Sequence, residues 1–271
     1  MTDGAPGRRR KRIIKTKLPE KTAPSRAGER RFDELRPVLI QTDYFDFADG
    51  SAYIEMGRTK VVAAATIDEK VPPFLKNSGT GWVTAEYAML PCATAKRTPR
   101  ERPGGKISGR TQEIQRLIGR SLRSVTDLPA LGETTITIDC DVLQADGGTR
   151  AASITVGCVA LALALKKLLD CGIVDAMPLK HLIGAVSVGL VNGEELLDLD
   201  YREDSAADID MNIVQTDEGQ LVEVQASAEK NPFTQKDFAD LMKLAGKGIA
   251  EIIAIQRDVL MKKSVLFMAY R

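Results

Sequence analysis

Between Thr134 and Leu169 the chain reads TTITIDCDVLQADGGTRAASITVGCVALALALKKLL, and three structural habits follow one another within it. Thr134 to Leu143 alternates, with Ile136 and Ile138 on one side, as a strand with one buried face does. Asp146-Gly147-Gly148 then breaks the pattern, because paired glycines admit backbone angles that side chains resist. From Thr149 to Leu169 the apolar residues Ile154, Val156, Val159, Leu161, Leu163 and Leu165 surround the helix axis almost completely. A helix apolar on nearly all sides belongs inside a core, with structure on more than one face. Strand, glycine turn and central helix predict a mixed α/β (α+β) domain whose sheets pack against helices.

The flanking text agrees. Upstream, Ser51–Met56 and Lys60–Ile67 read as a hairpin turning near Gly57, and Trp82–Leu90 reads as a strand that Pro91 ends. Lys96 to Arg110 is a basic loop, after which a helix begins near Gly109. Ile114, Leu117, Ile118, Leu122 and Val125 form its apolar stripe, and Arg116, Arg120 and Arg123 fall on the opposite face. Downstream, Asn192-Gly193 joins His181–Val191 to Glu194–Leu199, and Asp210–Gln215 with Gln220–Ser227 suggests a second hairpin. A last helix runs from Thr234, paired with Asp237 as a cap, to about Lys263.

Charge is unevenly spread. Residues 1–31 hold eleven Lys/Arg against three Asp/Glu, although the whole chain nets only +1. Residues 1–28, with the run Arg8–Arg12, read as a basic, disordered tail, and residues 29–271 as one domain with no linker to divide it. Any nucleic-acid grip must therefore come from local clusters and the tail, since the remainder is net acidic. No uninterrupted apolar run reaches the roughly 18 residues of a membrane span, and no secretory signal opens the chain. Cys92, Cys140, Cys158 and Cys171 form no C-x-x-C pair and His181 is the sole histidine, which argues against zinc and against triad chemistry. Reduced thiols in the cytoplasm are the simplest expectation.

Three constellations carry charge suited to phosphoryl chemistry. Gly147, Gly148, Thr149 and Arg150 combine backbone amides, a hydroxyl, a helix N-terminus and a planar fork, as an anion cradle requires; a plain capped turn has the same spelling. Arg110 lies near the apolar edge of its helix, facing either an internal anion or the domain surface. From Asp198 to Asp210 six carboxylates fall within thirteen residues. They would repel one another without a cation, and hard oxygens suit Mg²⁺ or Mn²⁺, although a charged surface turn is the alternative. Nucleotide, RNA and sugar phosphate all remain open as substrates at this point.

The longer motifs narrow the choice. Gly81-Trp82-Val83-Thr84-Ala85-Glu86-Tyr87, the run Ser108 to Arg123, Asp139 to Arg150, and Leu197 through Ser205 to Asp210-Met211-Asn212 resemble the ribonuclease PH family over about residues 30–260. The resemblance implies a single ribonuclease PH-type domain and phosphorolysis. In that reaction inorganic phosphate attacks the 3′-terminal phosphodiester of RNA, such as a tRNA precursor or rRNA end, and releases a nucleoside diphosphate; the reverse addition is implied as well. It assigns phosphate binding to Arg110, Thr149 and Arg150, and catalysis with Mg²⁺ (or Mn²⁺) to Asp204 and Asp210. It implies a homo-hexamer built as a trimer of dimers, with Arg97, Arg100, Arg102, Arg116, Arg120 and Arg123 as candidates for RNA or subunit contacts. Two rivals share the scaffold: a silent RNA-binding ring subunit and a hydrolytic exonuclease. Cys92, Ala151 and Ala226-Ser227 depart from the family pattern, which has Arg, Thr and Gly-Thr there.

Overall fold

A computed structural model describes residues 1, 26, 30–101 and 107–265. The Arg8–Arg12 run and Arg102 lie outside the described residues. Arg26, however, falls within the stretch expected as a free tail and is instead docked, 6% exposed, against the folded body.

The first half builds a five-stranded sheet in the order β1-β2-β3-β5-β4. Its strands are β1 (Val38–Thr42), β2 (Gly50–Met56), β3 (Thr59–Asp68), β4 (Trp82–Met89) and β5 (Thr135–Gln144). The β2–β3 hairpin turns at Gly57 as expected, and its Cα register runs from Gly50↔Ala65 to Met56↔Thr59. β4 runs parallel to β5, so helix α1 (Gly109–Ser124) is the crossover of a βαβ unit. Ser108 starts α1 by accepting the Thr111 amide N–H at 3.2 Å. The predicted stripe is buried, from Ile114 to Leu122.

The second half builds an antiparallel four-stranded sheet in the order β7-β6-β8-β9. These are β6 (Ile183–Val191), β7 (Glu194–Leu197), β8 (Ile209–Thr216) and β9 (Leu221–Ala228). Between β7 and β8 stands a short helix, α3 (Tyr201–Ala206), which the carboxylate-rich spelling had concealed. The closing helix α4 (Gln235–Lys262) carries the expected Thr234–Asp237 capping box.

Helix α2 (Thr149–Asp170) holds the two halves together. It packs on β2, β3 and β5 of one sheet and on β6 of the other, with α1 and α4 alongside. Seventeen of its residues are buried, so the all-round apolar pattern reports a helix enclosed by protein. Its length and hydropathy alone would also permit a membrane crossing, but 83% of the apolar window is covered by the rest of the fold. At Gly50 the β2 backbone lies so near α2 that a Cβ would stand 2.3 Å from the Ala160 carbonyl oxygen. One apolar core runs from Leu35 to Val265 through both sheets.

Candidate active site

The site forms where helices α1 and α2 begin. Each opens with a small residue followed by arginine, Gly109-Arg110 and Thr149-Arg150. The exposed amides and positive ends of two helices therefore accompany two guanidinium groups. Gly147 and Gly148 adopt φ of +78° and +66°, the left-handed conformation that suits glycine. Thr149 is buried, and its hydroxyl accepts a 3.0 Å hydrogen bond from Tyr87 at the inner face of β4. Burial raises the Tyr87 pKa, against which the hydrogen bond to Thr149 and the charges of Arg110 and Arg150 work.

Opposite stand the two carboxylates. Burial raises the Asp204 pKa, and Arg110 and Arg150 counteract it. Asp210 is pushed up to about 6, first by burial and then by the Asp204 charge, with Arg150 opposing. The structure thus brings Arg110, Thr149, Arg150, Asp204 and Asp210 within one electrostatic neighbourhood. A cleft of about 500 Å³ opens there, lined by Glu113, Arg150, Asp210, Asn212, Gln225, Ala226 and Ser227 among others. Ala226 and Ser227, two of the positions that depart from the family pattern, therefore line the site itself.

The six carboxylates between 198 and 210 have divided the work. Asp198 is 1% exposed inside the fold, and Asp200 caps α3 by accepting the amides of Arg202 and Glu203. Glu203 completes that capping box and pairs with Arg26 at 2.8 Å and Arg30 at 3.2 Å. Asp208 pairs with Lys230 at the surface. Only Asp204 and Asp210 are left for the site. Among the described residues no group of three or more potential metal-ligating side chains converges. A pair of oxygen donors still fits an ion such as Mg²⁺ that keeps most of its water.

Sequence reasoning missed the residues that aim Arg150. Its Nη1 donates to Gln225 Oε1 at 2.7 Å, and Gln225 Nε2 donates to Glu113 Oε1 at 2.9 Å. Glu113 also stands 3.9 Å from Arg150 Nη2. Nothing in the spelling of β9 marks Gln225, because its partners lie 75 and 112 residues away.

The other arginines scatter. Arg97, Arg100 and Arg116 are exposed, and Arg120 pairs with Glu223 at 2.8 Å. Arg123, on the helix face opposite the apolar stripe, folds back onto the chain: its guanidinium lies 4.2 Å over the Trp82 ring and Nη1 donates to the Val83 carbonyl at 2.7 Å. Its long stem lets it fold back over the start of β4, where an aromatic face offers more than water does.

Residues 34–167 match the 3′ exoribonuclease family, domain 1, and residues 181–248 match domain 2. Ribonuclease PH of Moorella thermoacetica is 60% identical over 235 residues, covering 87% of this chain and 94% of that protein. The chain belongs to the 3′ exoribonuclease family, in its ribonuclease PH branch. A second member, ribonuclease PH of Syntrophomonas wolfei, is 54% identical over 87% of this chain and 98% of its own length. The family fold recurs in distant solved structures. The crystal structure of rice Rrp46 gives a TM-score of 0.70 at 22% identity, covering 87% of this chain and all of that one. A chain of the Archaeoglobus fulgidus exosome with RNA bound to the active site gives 0.71 at 22% identity, covering 85% of this chain and 92% of its own.

Proposed function

We propose that this chain is a phosphate-dependent 3′-to-5′ exoribonuclease that trims tRNA precursors, and other RNA 3′ ends such as those of rRNA, as nucleoside diphosphates. The observation that carries the reading is the meeting of Arg110, Thr149 and Arg150, at two helix N-termini, with Asp204 and Asp210.

The division of labour follows from the chemistry of these groups. Arg110, Arg150, the Thr149 hydroxyl and the α2 amides would hold inorganic phosphate and orient one oxygen toward the terminal phosphorus. A P–O bond forms as the bond from phosphorus to the preceding nucleotide's 3′ oxygen breaks. The products are a nucleoside diphosphate and an RNA shorter by one residue, whose 3′ oxygen takes up a proton. Phosphate is itself the nucleophile, so no histidine or cysteine base is called for. Asp204 and Asp210 would hold Mg²⁺ or Mn²⁺, which supplies positive charge beside the scissile group. Positioning and charge neutralisation carry most of the rate in such transfers.

The assembly we propose is a homo-hexamer, a trimer of dimers, in which exposed Arg97, Arg100 and Arg116 meet RNA or a neighbouring subunit. The setting is the cytoplasm, in keeping with four free cysteines. Sedimentation of the purified protein near six times the 29.5 kDa chain mass supports the ring, and a monomer or dimer defeats it.

The deciding experiment incubates the protein with a 3′-extended tRNA and Mg²⁺, with and without phosphate. Nucleoside diphosphates should appear only with phosphate, and Asp204→Ala or Arg150→Ala should lower the rate by roughly 10²–10³. Monophosphates released without phosphate would mean a hydrolase, and bound but intact RNA a silent ring subunit.

A further inference from the structure

Arg36 belongs to none of the constellations above and Asp198 opens the acidic one without entering the site, yet the pair links the glycine turn to the start of α3. Asp198 is 1% exposed and Arg36 7%, and they are joined by three hydrogen bonds. Arg36 Nε and its own amide N–H donate to Asp198 Oδ2 at 2.9 and 2.8 Å, and Nη2 donates to Oδ1 at 2.6 Å. The same guanidinium reaches the glycine turn, where Nη1 donates to the Asp146 carbonyl at 2.5 Å and Nη2 to that of Gly147 at 3.5 Å. Asp198 takes φ of +56°, an uncommon conformation for a residue with a side chain. Two residues later Asp200 begins the helix that carries Asp204.

The turn and that helix start are also in direct backbone contact. A Cβ on Gly147 would lie 2.4 Å from the Leu199 carbonyl oxygen and 2.6 Å from the Asp200 carbonyl carbon. Thr59 clamps the turn from β3: its hydroxyl accepts the Asp146 amide N–H at 3.0 Å and donates to the Gly147 carbonyl at 2.7 Å. A buried ion pair is a weak source of stability, because well-packed apolar residues do as well or better. A bidentate pair that also grips a loop backbone instead fixes geometry.

We propose that Arg36 and Asp198 are positioning residues for phosphorolysis. They set the distance between the anion cradle at Gly148–Arg150 and the carboxylate helix, so that phosphate and the scissile group meet in line. Neither touches a reacting atom. The proposal rests on the phosphorolytic reading, which the wild-type arm of the test checks separately.

The test compares wild type, Arg36→Lys and Thr59→Val for melting temperature, and for KM of inorganic phosphate and of RNA in nucleoside diphosphate release. Lysine keeps the charge but cannot hold both Asp198 oxygens and the turn carbonyls together. Arg36→Lys should raise the phosphate KM about tenfold or more while the RNA KM moves less, since small misplacements at such a site cost up to about 10²-fold. Thr59→Val, close to isosteric, should shift the same constant about threefold or more in the same direction. A lowered melting temperature with an unchanged phosphate KM in both variants makes the pair merely structural and overturns the proposal alone. If Arg36→Lys does not fold, the phosphate KM of Thr59→Val decides by the same criterion. A wild type that releases nothing in response to phosphate overturns the functional reading and this proposal together.

Discussion

Two aspartates twelve residues apart give the protein opposite responses to acid. Asp198 is fully enclosed; burial would raise its pKa, but the Arg36 and Arg30 charges overcome that and hold it below the ordinary carboxylate value. A depressed folded pKa means stability present above about pH 4 and lost as pH falls through the folded value. Asp210 runs the other way. Its folded pKa of about 6 exceeds the unfolded value near 4, so the native state binds the proton more tightly. That carboxylate costs stability at neutral pH, and stability is regained as pH falls from about 6 toward 4. Without divalent metal, Asp210→Asn should therefore raise stability at pH 7.5 by on the order of 2 kcal/mol and remove that regain, while activity is lost. Melting curves across pH 3.5–8 check both; a D210N variant less stable than wild type at pH 7.5 would refute the account of Asp210. The charges at Arg110, Arg150, Asp204 and Asp210 were legible because phosphoryl chemistry needs those types and the surrounding motifs are long. Arg36 was not, since a lone Arg-Pro dipeptide carries no mark of a partner 162 residues away.

Among the elements, those with a strong period were read within a residue or two, and the short one was missed. α2 and α4 announced themselves by burial pattern and by cap. α3 has six residues, too few for any stripe, although its D-x-x-E capping signature stood in plain view at Asp200 and Glu203. The density of carboxylates drew the eye to a shared role, whereas folding gave one to a core pair, two to a cap, one to the surface and two to the site. The cap of α4 offers a simple check on this scale. Thr234 accepts the Asp237 amide and Asp237 returns the bond to the Thr234 amide at 2.8 Å. Thr234→Ala should cost about 1 kcal/mol in denaturant unfolding and leave the catalytic constants alone, because α4 lies away from the cleft.

For the molecule as a whole, Arg26, which composition places in the tail, is anchored to the body. Arg26 Nη2 donates to the Leu197 carbonyl at 2.8 Å and to Glu203 at 2.9 Å, which ties this arginine to the back of α3. Two truncations separate anchoring from RNA grip. Removing residues 1–24 should leave the melting temperature unchanged while flattening the salt dependence of RNA binding, by up to roughly 0.7 per lost phosphate contact. Removing residues 1–28 should in addition lower the melting temperature, since Glu203 loses a buried partner. An unchanged salt slope in the shorter truncation would retire the tail as an RNA-binding arm. The enclosure of α2 has a consequence in time as well as in space. Chains are made from the N-terminus, so this 22-residue apolar rod leaves the ribosome with only β1, β2, β3, β5 and α1 to shelter it. The remaining cover, β6, β8 and then α4, is still unmade, and α4 ends nearly a hundred residues later. Until that cover arrives the nascent chain presents an apolar face of the kind that chaperones bind and that sticks to its copies. Completing the fold therefore waits on the synthesis of α4, and a nascent chain whose α2 has emerged before β6 and α4 are made is exposed to aggregation through that face.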